Sequence, residues 1–236
     1  MQSYERKTLT DKNKETSLTR LKDWELALRQ PKEGYRFSID AIILAKFTRI
    51  KKGAEVIELG AGCGVISLIL ARTYPDSNII AIEIQNDLYR LLKENIEINK
   101  TTNVTPLNLD IRCLNKHFAA GIFDHVVANP PFRRVETGRL CFHSQEALSR
   151  HEILINMEEL LQISRFLLRP GGKLSIIYPA ERTSELIAAM SSIKIEPKRL
   201  QFVYPNKIRP ARLILAEGIK DAGIETKIEP PLFINQ

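Results

Sequence analysis

The sequence predicts an α/β fold with a mostly parallel seven-stranded sheet, helices on both faces and a C-terminal antiparallel hairpin. Three observations lead to this prediction. From residue 55 onward, short apolar runs of strand length alternate with segments of helical hydrophobic period, and repeated units of this kind form parallel sheets. A glycine-rich loop joins the first strand to its helix, at the end of the strand where open sheets bind ligands. The last two strand patterns are separated by 205–210, a short segment that begins and ends with proline and favours a hairpin.

Local signals support each predicted element in turn. The first helix follows Ser38, a good N-cap residue, and carries Asp40 in its first turn, where negative charge is favoured. The third helix has an apolar stripe formed by Leu88, Leu91, Leu92 and Ile96. The predicted helices cover residues 39–48, 65–74, 87–99, 151–167 and 181–191. The predicted strands cover residues 55–59, 78–84, 104–109, 123–128, 173–178, 199–204 and 211–217.

The composition is typical of a globular protein with one domain. The 236 residues are 44% hydrophobic and 27% charged, which is enough for one sizeable core and excludes a disordered chain. We interpret residues 21–236 as that domain and residues 1–20 as a polar tail or a short hairpin. No apolar run is long enough to span a membrane, and the first 15 residues lack the apolar segment of a secretory signal. The three cysteines are far apart and odd in number, which fits a reducing cytoplasm.

The glycine loop predicts a nucleotide-type pocket. Residues 58–64 read ELGAGCG, so Gly60, Gly62 and Gly64 give the spacing GxGxG. Glycine permits positive φ and close approach of the backbone to a ligand, and the following helix offers unpaired N–H groups. The GxGxxG pattern of dinucleotide sites has a third glycine at the position that Val65 occupies here. The sequence also has no GxxxxGK[ST] phosphate loop. The loop therefore weighs against NAD and ATP.

Three carboxylates stand where predicted strands end. Glu83 ends the second strand, where a carboxylate can accept hydrogen bonds from both ribose hydroxyls of a nucleoside. Asp110 ends the third strand, and Glu58 ends the first strand beside the glycine loop. The alternative for Glu83 and Asp110 is a solvated strand-end carboxylate, and for Glu58 a carboxylate that orients the loop.

The tetrapeptide NPPF, residues 129–132, follows the fourth strand. Paired prolines make a stiff turn that ends a strand, and this is the purely structural interpretation. The position favours a functional one, because the tetrapeptide lies across the switch point of the sheet from the glycine loop. We therefore predict that Asn129, Pro130, Pro131 and Phe132 handle a substrate.

Together these features resemble the class I S-adenosylmethionine-dependent methyltransferases, and the tetrapeptide resembles the (N/D/S)PP(Y/F/W) motif of amino-methyltransferases. The resemblance implies a Rossmann-like fold, S-adenosylmethionine as cofactor, S-adenosylhomocysteine as product and no metal. No HExxH motif or paired Cys/His ligands are present in the sequence, which also disfavours a metal site. The cofactor-binding residues that the resemblance implies are Phe37, Asp40, Glu58, Gly60, Gly62, Gly64, Glu83, Ile84, Asp110, Ile111 and Asn129.

The tetrapeptide suits methylation of an exocyclic amine. Such a nitrogen is a poor nucleophile because its lone pair is delocalised into a π system. The side-chain oxygen of Asn129 and the backbone carbonyl of Pro130 can each accept one N–H, which would aim the lone pair at the methyl group. Phe132 can stack on a planar acceptor, as a flipped or unpaired base requires.

Basic residues near the predicted pocket point to a nucleic-acid partner, which the net charge of +7 permits without requiring. Arg133, Arg134 and Arg139 follow the tetrapeptide, and Lys207 and Arg209 lie in the link between the last two strands. We predict that these five side chains contact phosphates; the alternative is ordinary surface charge.

The residues are similar in more detail to the bacterial tRNA (adenine-6-amino) methyltransferases. The glycine loop and the tetrapeptide are shared widely, whereas segments 34–41 and 149–152 are more particular to this group. The resemblance implies methylation of the 6-amino group of adenine in tRNA near the anticodon. We expect a cytoplasmic enzyme, a monomer or weak dimer, that does not bind membranes.

Several alternatives remain open from the sequence. A glutamine methyltransferase acting on a protein release factor uses a similar tetrapeptide, but usually carries an additional N-terminal helical domain, whereas the first strand here begins at residue 55. DNA adenine or ribosomal RNA guanine can also be the acceptor. Outside the class, the alternatives are a nicotinamide-dependent oxidoreductase and a non-catalytic nucleic-acid-binding module.

Overall fold

The computed structural model describes residues 16–32, 37–130 and 156–234. Its strands are β1 (Thr16–Leu21), β2 (Leu26–Pro31), β3 (Glu55–Leu59), β4 (Asn78–Ile82), β5 (Val104–Leu107), β6 (Phe123–Ala128), β7 (Leu168–Pro179), β8 (Ile195–Tyr204), β9 (Leu213–Lys220), β10 (Lys227–Ile228) and β11 (Leu232–Phe233). Its α-helices are α1 (Ile39–Phe47), α2 (Val65–Thr73), α3 (Asn86–Ile98), α4 (Met157–Leu167) and α5 (Thr183–Ser192).

The central sheet has nine strands in the order β10-β8-β9-β7-β6-β3-β4-β5, and β11 also pairs with β8. Strands β3 to β7 are parallel, whereas β9 is antiparallel to both of its neighbours, β7 and β8. The predicted mostly parallel sheet with an antiparallel C-terminal hairpin is therefore confirmed, and β3 to β9 are its seven predicted strands. The carboxyl ends of β3 to β8 lie together at one edge, here called the carboxyl edge.

The two shortest strands of the sheet were not predicted. β10 and β11 both pair in parallel with β8, along the edge of β8 that faces away from β9. Each has only two residues, which is too short to show any hydrophobic period. β7 also begins earlier than predicted, at Leu168, because that residue pairs with Phe123 before a register shift in the ladder.

Helices cover both faces of the sheet. One core cluster combines buried side chains of α1, α2 and α3, such as Leu44 and Leu68, with one face of the strands. The second combines side chains of α4 and α5, such as Leu167 and Met190, with the other face. Helix α1 begins as predicted, because the Ser38 hydroxyl accepts a hydrogen bond from the backbone N–H of Asp40 at 3.2 Å. None of the helices in the described ranges has the length and apolarity needed to cross a membrane.

An N-terminal hairpin packs against α3. β1 and β2 pair antiparallel, so residues 16–20, which we had interpreted as part of a polar tail or short hairpin, are strand. The side chain of Asn99, the C-cap of α3, accepts from the N–H of Ala27 and donates to its carbonyl, both at 2.8 Å. Asn95, one turn earlier, makes the same pair of bonds to Arg29 at 2.7 and 2.8 Å. Two asparagine side chains thus take the place of a neighbouring strand beside β2.

Candidate active site

The glycine loop turns sharply at the carboxyl end of β3. Gly60, Gly62 and Gly64 have φ angles of 77°, 58° and 90°, in the left-handed region that only glycine adopts without strain. The N–H groups of Gly60 and Ala61 donate to the carbonyl of Ile82 at 3.0 and 2.8 Å, which fixes the loop against the end of β4. The predicted role of the three glycines in shaping the loop thus has a direct conformational reason.

Gly64 has a second, steric reason to be glycine. It is the N-cap of α2, and a Cβ built at this position would lie 2.4 Å from Cδ1 of Leu92 on α3. A side chain here would therefore require the Leu92 side chain or the loop to shift. Asn95 of α3 also holds the loop against this helix, since its Nδ2 donates to the carbonyl of Cys63 at 2.9 Å.

Glu83 ties the loop to the segment after β4. It is buried, and its Oε2 accepts from the N–H of Gly62 at 2.7 Å while its Oε1 accepts from the N–H of Gln85 at 2.7 Å. Burial raises the pKa of this carboxyl, and the hydrogen bonds from Gln85 and Gly62 oppose that shift. Each carboxylate oxygen has a further lone pair, so the group can still accept hydroxyl donors from a bound nucleoside.

Glu58 faces α2 from the end of β3. It is buried, and its Oε2 accepts hydrogen bonds from the N–H of Ser67 at 2.8 Å and from the Ser67 hydroxyl. Burial raises the pKa of Glu58 to about 8, although both hydrogen bonds from Ser67 act in the opposite direction. The carboxyl group is therefore mostly protonated at neutral pH in the free protein.

A narrow pocket at the carboxyl edge brings several predicted residues together. Phe37, Glu58, Gly60 and Asn129 all line it. The register explains why, because Leu59 of β3 pairs with Ala128 of β6, so the residues that follow both strands emerge side by side. Asn129 and Pro130 are half-buried there. The loop and the start of the tetrapeptide, 65 positions apart in the chain, thus meet across one strand pair.

Other predicted cofactor residues, among them Asp110, Ile111, Ile84 and Asp40, do not line this pocket. Asp110 caps the short 3-10 helix Ile111–Lys116, and its Oδ1 accepts from the N–H of Arg112 at 2.8 Å. An ion pair between Asp110 and the Arg112 guanidinium at 2.6 Å lowers the pKa of the carboxyl. Ile84 is 37% exposed just beyond β4. Asp40 lies in the first turn of α1 beside Ala41, which does line the pocket.

The remaining predicted residues, which handle the acceptor or contact nucleic acid, divide into two groups. Pro131, Phe132, Arg133, Arg134 and Arg139 lie outside the described residues, so their predicted roles stay predictions. Lys207 and Arg209 are exposed in the link between β8 and β9, which leaves the sheet at the carboxyl edge. The Oδ1 of Asn206 accepts from the N–H groups of Ile208 and Arg209, both at 3.0 Å, and gives this link a defined turn.

Three supporting residues were missed by the sequence interpretation: Ser67, Asn95 and Asn108. Asn108 donates from Nδ2 to the carbonyls of Glu83 and Ile84 at 2.8 and 3.1 Å, and so fixes the backbone that presents the Glu83 carboxylate. Asn95 carried a usable signal, because it is a polar residue on the apolar stripe of α3. No group of three or more His, Cys, Asp or Glu side chains is placed to bind a metal ion in the described part of the chain.

Glu58→Gln is expected to remove a pH dependence of stability. The carboxyl titrates near 4.5 when solvated and at about 8 in the folded protein, so the folded state retains a proton that the unfolded state loses. Its contribution to the free energy of unfolding is therefore full below pH 4.5 and lost as pH rises through about 8. Glutamine keeps an acceptor for Ser67 and cannot ionise. Denaturant unfolding across this range should show that the free energy of unfolding of the variant increases relative to that of the wild type as pH rises.

A matched control is Glu55→Gln, at the opposite end of β3, where the carboxylate accepts from the exposed Asn78 side chain at 2.7 Å. This variant makes the same Glu→Gln change at a carboxyl group that is not fully buried. Parallel stability–pH curves for wild type and Glu58→Gln would show that Glu58 is not protonated in the folded protein.

Comparison with known proteins finds methyltransferases of similar sequence. The tRNA1(Val) (adenine(37)-N6)-methyltransferase of Shewanella frigidimarina is 27% identical over 164 residues, which cover 67% of this chain and 64% of that protein. The chain thus matches slightly less than two thirds of that relative's length. The protein of the same name from Dyadobacter fermentans is 24% identical over 212 residues, covering 89% of this chain and 86% of that protein.

The fold is shared with solved structures. M. jannaschii TYW2, whose crystal structure is a complex with AdoMet, has a TM-score of 0.59 and 16% identity over 91% of this chain and 90% of that one. A family model described as "Methyltransferase domain" matches residues 50–214. Since that match takes in β3 to β8 and most of the site, the chain belongs to this family of methyltransferase domains.

Proposed function

We propose that this protein transfers a methyl group from S-adenosylmethionine to an exocyclic amine, most specifically the 6-amino group of adenine in tRNA near the anticodon. The observation that carries the proposal is the convergence of Asn129 and the glycine loop on one pocket at the carboxyl edge. The glycine loop supplies a backbone cradle for a nucleoside. The start of the tetrapeptide supplies neutral acceptors for N–H groups. Family membership argues against the nicotinamide-dependent oxidoreductase considered above.

The residues present fit S-adenosylmethionine. Glu83 is buried at the loop with lone pairs left for the ribose hydroxyls, and the glycines of the loop have no Cβ that would keep a ligand from the backbone. Asp110 and Ile111 would contact the adenine, with Ile84 as an apolar neighbour. Glu58 and Asn129 would lie towards the methionine end. When bound, the cofactor supplies an electrophilic methyl group on a cationic sulfonium.

The chain's own residues would prepare the acceptor nitrogen. The Asn129 side-chain oxygen and the Pro130 carbonyl would accept hydrogen bonds from its two N–H groups and direct its lone pair towards the methyl group. Because the nitrogen loses a proton easily once it is methylated, no strong base is needed. Catalysis would then come from positioning and from preorganised dipoles, whose individual removal typically costs about 10²–10³-fold in rate.

A tRNA acceptor fits the charges and the relatives. The net charge is +7, and Lys207 and Arg209 project from the same edge of the sheet as the pocket. The relatives named above are tRNA1(Val) (adenine(37)-N6)-methyltransferases. Such a substrate would require the enzyme to act in the cytoplasm, and we expect it to do so as a monomer or weak dimer.

The direct test combines purified protein, methyl-labelled S-adenosylmethionine and unmodified tRNA transcripts. A valine tRNA with adenine at position 37, the position in the relatives' names, should yield labelled 6-methyladenosine on nucleoside analysis. A matched transcript with guanine at that position should stay unlabelled.

Two outcomes would contradict the proposal at different levels. Label absent from tRNA despite measurable cofactor binding would exclude the tRNA acceptor and direct the search to release-factor glutamine, DNA or ribosomal RNA. Failure to bind S-adenosylmethionine at all would exclude the transferase activity and leave a nucleic-acid-binding module.

A further inference from the structure

The β8–β9 link, residues 205–212, carries an isoleucine at its tip. Ile208 is 93% exposed and is the most exposed large hydrophobic side chain among the described residues. Isoleucine is one of the residue types most often buried in folded proteins. Single exposed hydrophobic residues are nevertheless common, so exposure alone does not mark a site. The conformation, charge and position of the link are the observations that distinguish Ile208.

Hydrogen bonds hold the link in a defined conformation. At its base the N–H of Arg212 donates to the carbonyl of Val203 at 2.8 Å. At its tip the Asn206 side chain accepts from the N–H groups of Ile208 and Arg209, both at 3.0 Å. The isoleucine is thus presented from a hydrogen-bonded turn, and a contact made by an ordered turn loses less conformational entropy on binding.

The link is strongly basic. Lys207, Arg209 and Arg212 are all exposed, and none of them forms an ion pair with an acidic side chain in the part of the chain that the structure describes. Residues 205–216 include no aspartate or glutamate. Unpaired cations favour an anionic partner. Nucleic acid offers both phosphates for the cations and base surfaces for an apolar side chain between them.

Ile224 provides a comparison within the same chain. It is 87% exposed in the loop after β9, where its neighbours are Gly223 and Glu225. Because β9 is antiparallel to β7, this loop leaves the sheet at the edge opposite to the pocket. The two isoleucines are therefore almost equally exposed, but only Ile208 combines flanking cations with a place at the carboxyl edge.

The link lies at a suitable distance from the pocket for RNA that enters it. In the strand order β6-β7-β9-β8, the strands joined by the link are two and three places from β6, which Asn129 follows. Adjacent strands are about 4.8 Å apart, so the link leaves the sheet roughly 10–14 Å from the end of β6. Stacked nucleotides are spaced by about 3.4 Å along a strand, so this distance corresponds to about three or four nucleotides.

We propose that Ile208 packs against a base of the bound RNA about three or four nucleotides from the methylated adenine, while Lys207 and Arg209 contact the phosphates beside it. The isoleucine acts as an apolar wedge against an unstacked base, and the two cations hold the backbone on either side. This inference rests on the proposed tRNA acceptor and extends it, because it assigns a base contact outside the pocket.

The test measures binding of the unmodified valine tRNA transcript to the full chain over a range of salt concentrations. Ile208→Ser should weaken binding by about fivefold to tenfold, because the apolar contact area is lost. It should leave the salt dependence unchanged, because no charge is removed. Arg209→Met should instead reduce the slope of log affinity against log salt concentration by about 0.7, the value for one phosphate contact on a single strand.

Two controls locate the contact. Ile224→Ser is the matched variant and should bind tRNA as the wild type does. In a second series of transcripts, single nucleotides within about five positions of the target adenine are made abasic. One of these should bind more weakly to the wild type and no more weakly to Ile208→Ser, because that variant has already lost the contact.

The outcomes separate this inference from the proposed function. If the wild type binds and methylates tRNA and Ile208→Ser has the same affinity, the base contact alone is overturned. It is also overturned if no abasic transcript removes the difference between the two proteins. Loss of binding to anionic lipid vesicles in Ile208→Ser, with unchanged tRNA affinity, would assign the tip to a membrane surface instead. Absence of tRNA binding by the wild type would overturn both proposals.

Discussion

Asn129→Ala should lower the rate of methyl transfer by about 10²–10³-fold and leave the affinity for S-adenosylmethionine nearly unchanged. Asn129 follows β6 directly and lines the pocket with Phe37 and Glu58. In the proposed mechanism its side-chain oxygen accepts an N–H of the acceptor amine, so its loss removes an interaction that orients the nucleophile. The ribose and adenine contacts proposed for the cofactor lie on other strands and should persist.

The measurement is a single-turnover assay with saturating cofactor and tRNA, together with calorimetric titration of the cofactor. Asn78→Ala is the matched control, because the side chain of this exposed asparagine at the start of β4 bonds only to the Glu55 side chain, at 2.7 Å, among the described residues. The control should react at the wild-type rate. Near-wild-type turnover in Asn129→Ala would eliminate the proposed role of the tetrapeptide's first residue.

Gly64→Ala should destabilise the protein by about 2–5 kcal/mol and weaken cofactor binding by at least about tenfold. Two costs combine at this position. A non-glycine residue at φ of 90° is strained by about 1–2 kcal/mol, and a Cβ 2.4 Å from Leu92 must displace a buried side chain, which costs about 1–3 kcal/mol more. Relief of that contact would shift the loop that presents Gly62 to Glu83, and hence the cofactor cradle.

Gly171→Ala separates these two costs. It has a similar φ of 72°, but its Cβ would meet no atom within 4 Å. The control should therefore lose only about 1–2 kcal/mol and keep normal cofactor affinity. Denaturant unfolding and cofactor titration of both variants make the comparison. Equal losses of stability in the two variants would show that the Leu92 contact is relieved without cost.

Much of this molecule follows from local sequence signals. The predicted strands 55–59 and 123–128 agree residue for residue with β3 and β6. Apolar runs of this length, bounded by turn signals, favour strands over helices. Ser38 caps α1 as its residue type predicts. The GxGxG spacing indicated left-handed backbone at the loop, since that conformation is a property of glycine itself.

The partners of those residues were decided by tertiary structure. Glu58 was recognised as a carboxylate beside the loop, but its bonds to Ser67 and its raised pKa depend on α2 packing over the end of β3. Asn95 fell within a predicted apolar stripe, and only the docking of the hairpin on α3 shows that it replaces a strand edge.

The sequence by itself predicted the chain order of the five helices and of the seven strands β3 to β9, a glycine loop that permits left-handed backbone, and the residue types at the strand ends. The tertiary structure decided which of these residues meet, because the register of β3 with β6 places Asn129 beside the loop. It also decided where charge is left in excess, as at Arg199, which shares Glu217 with Lys173. The physical reason is that backbone conformation depends on neighbouring residues, whereas burial and hydrogen-bond partners depend on chain segments distant in sequence.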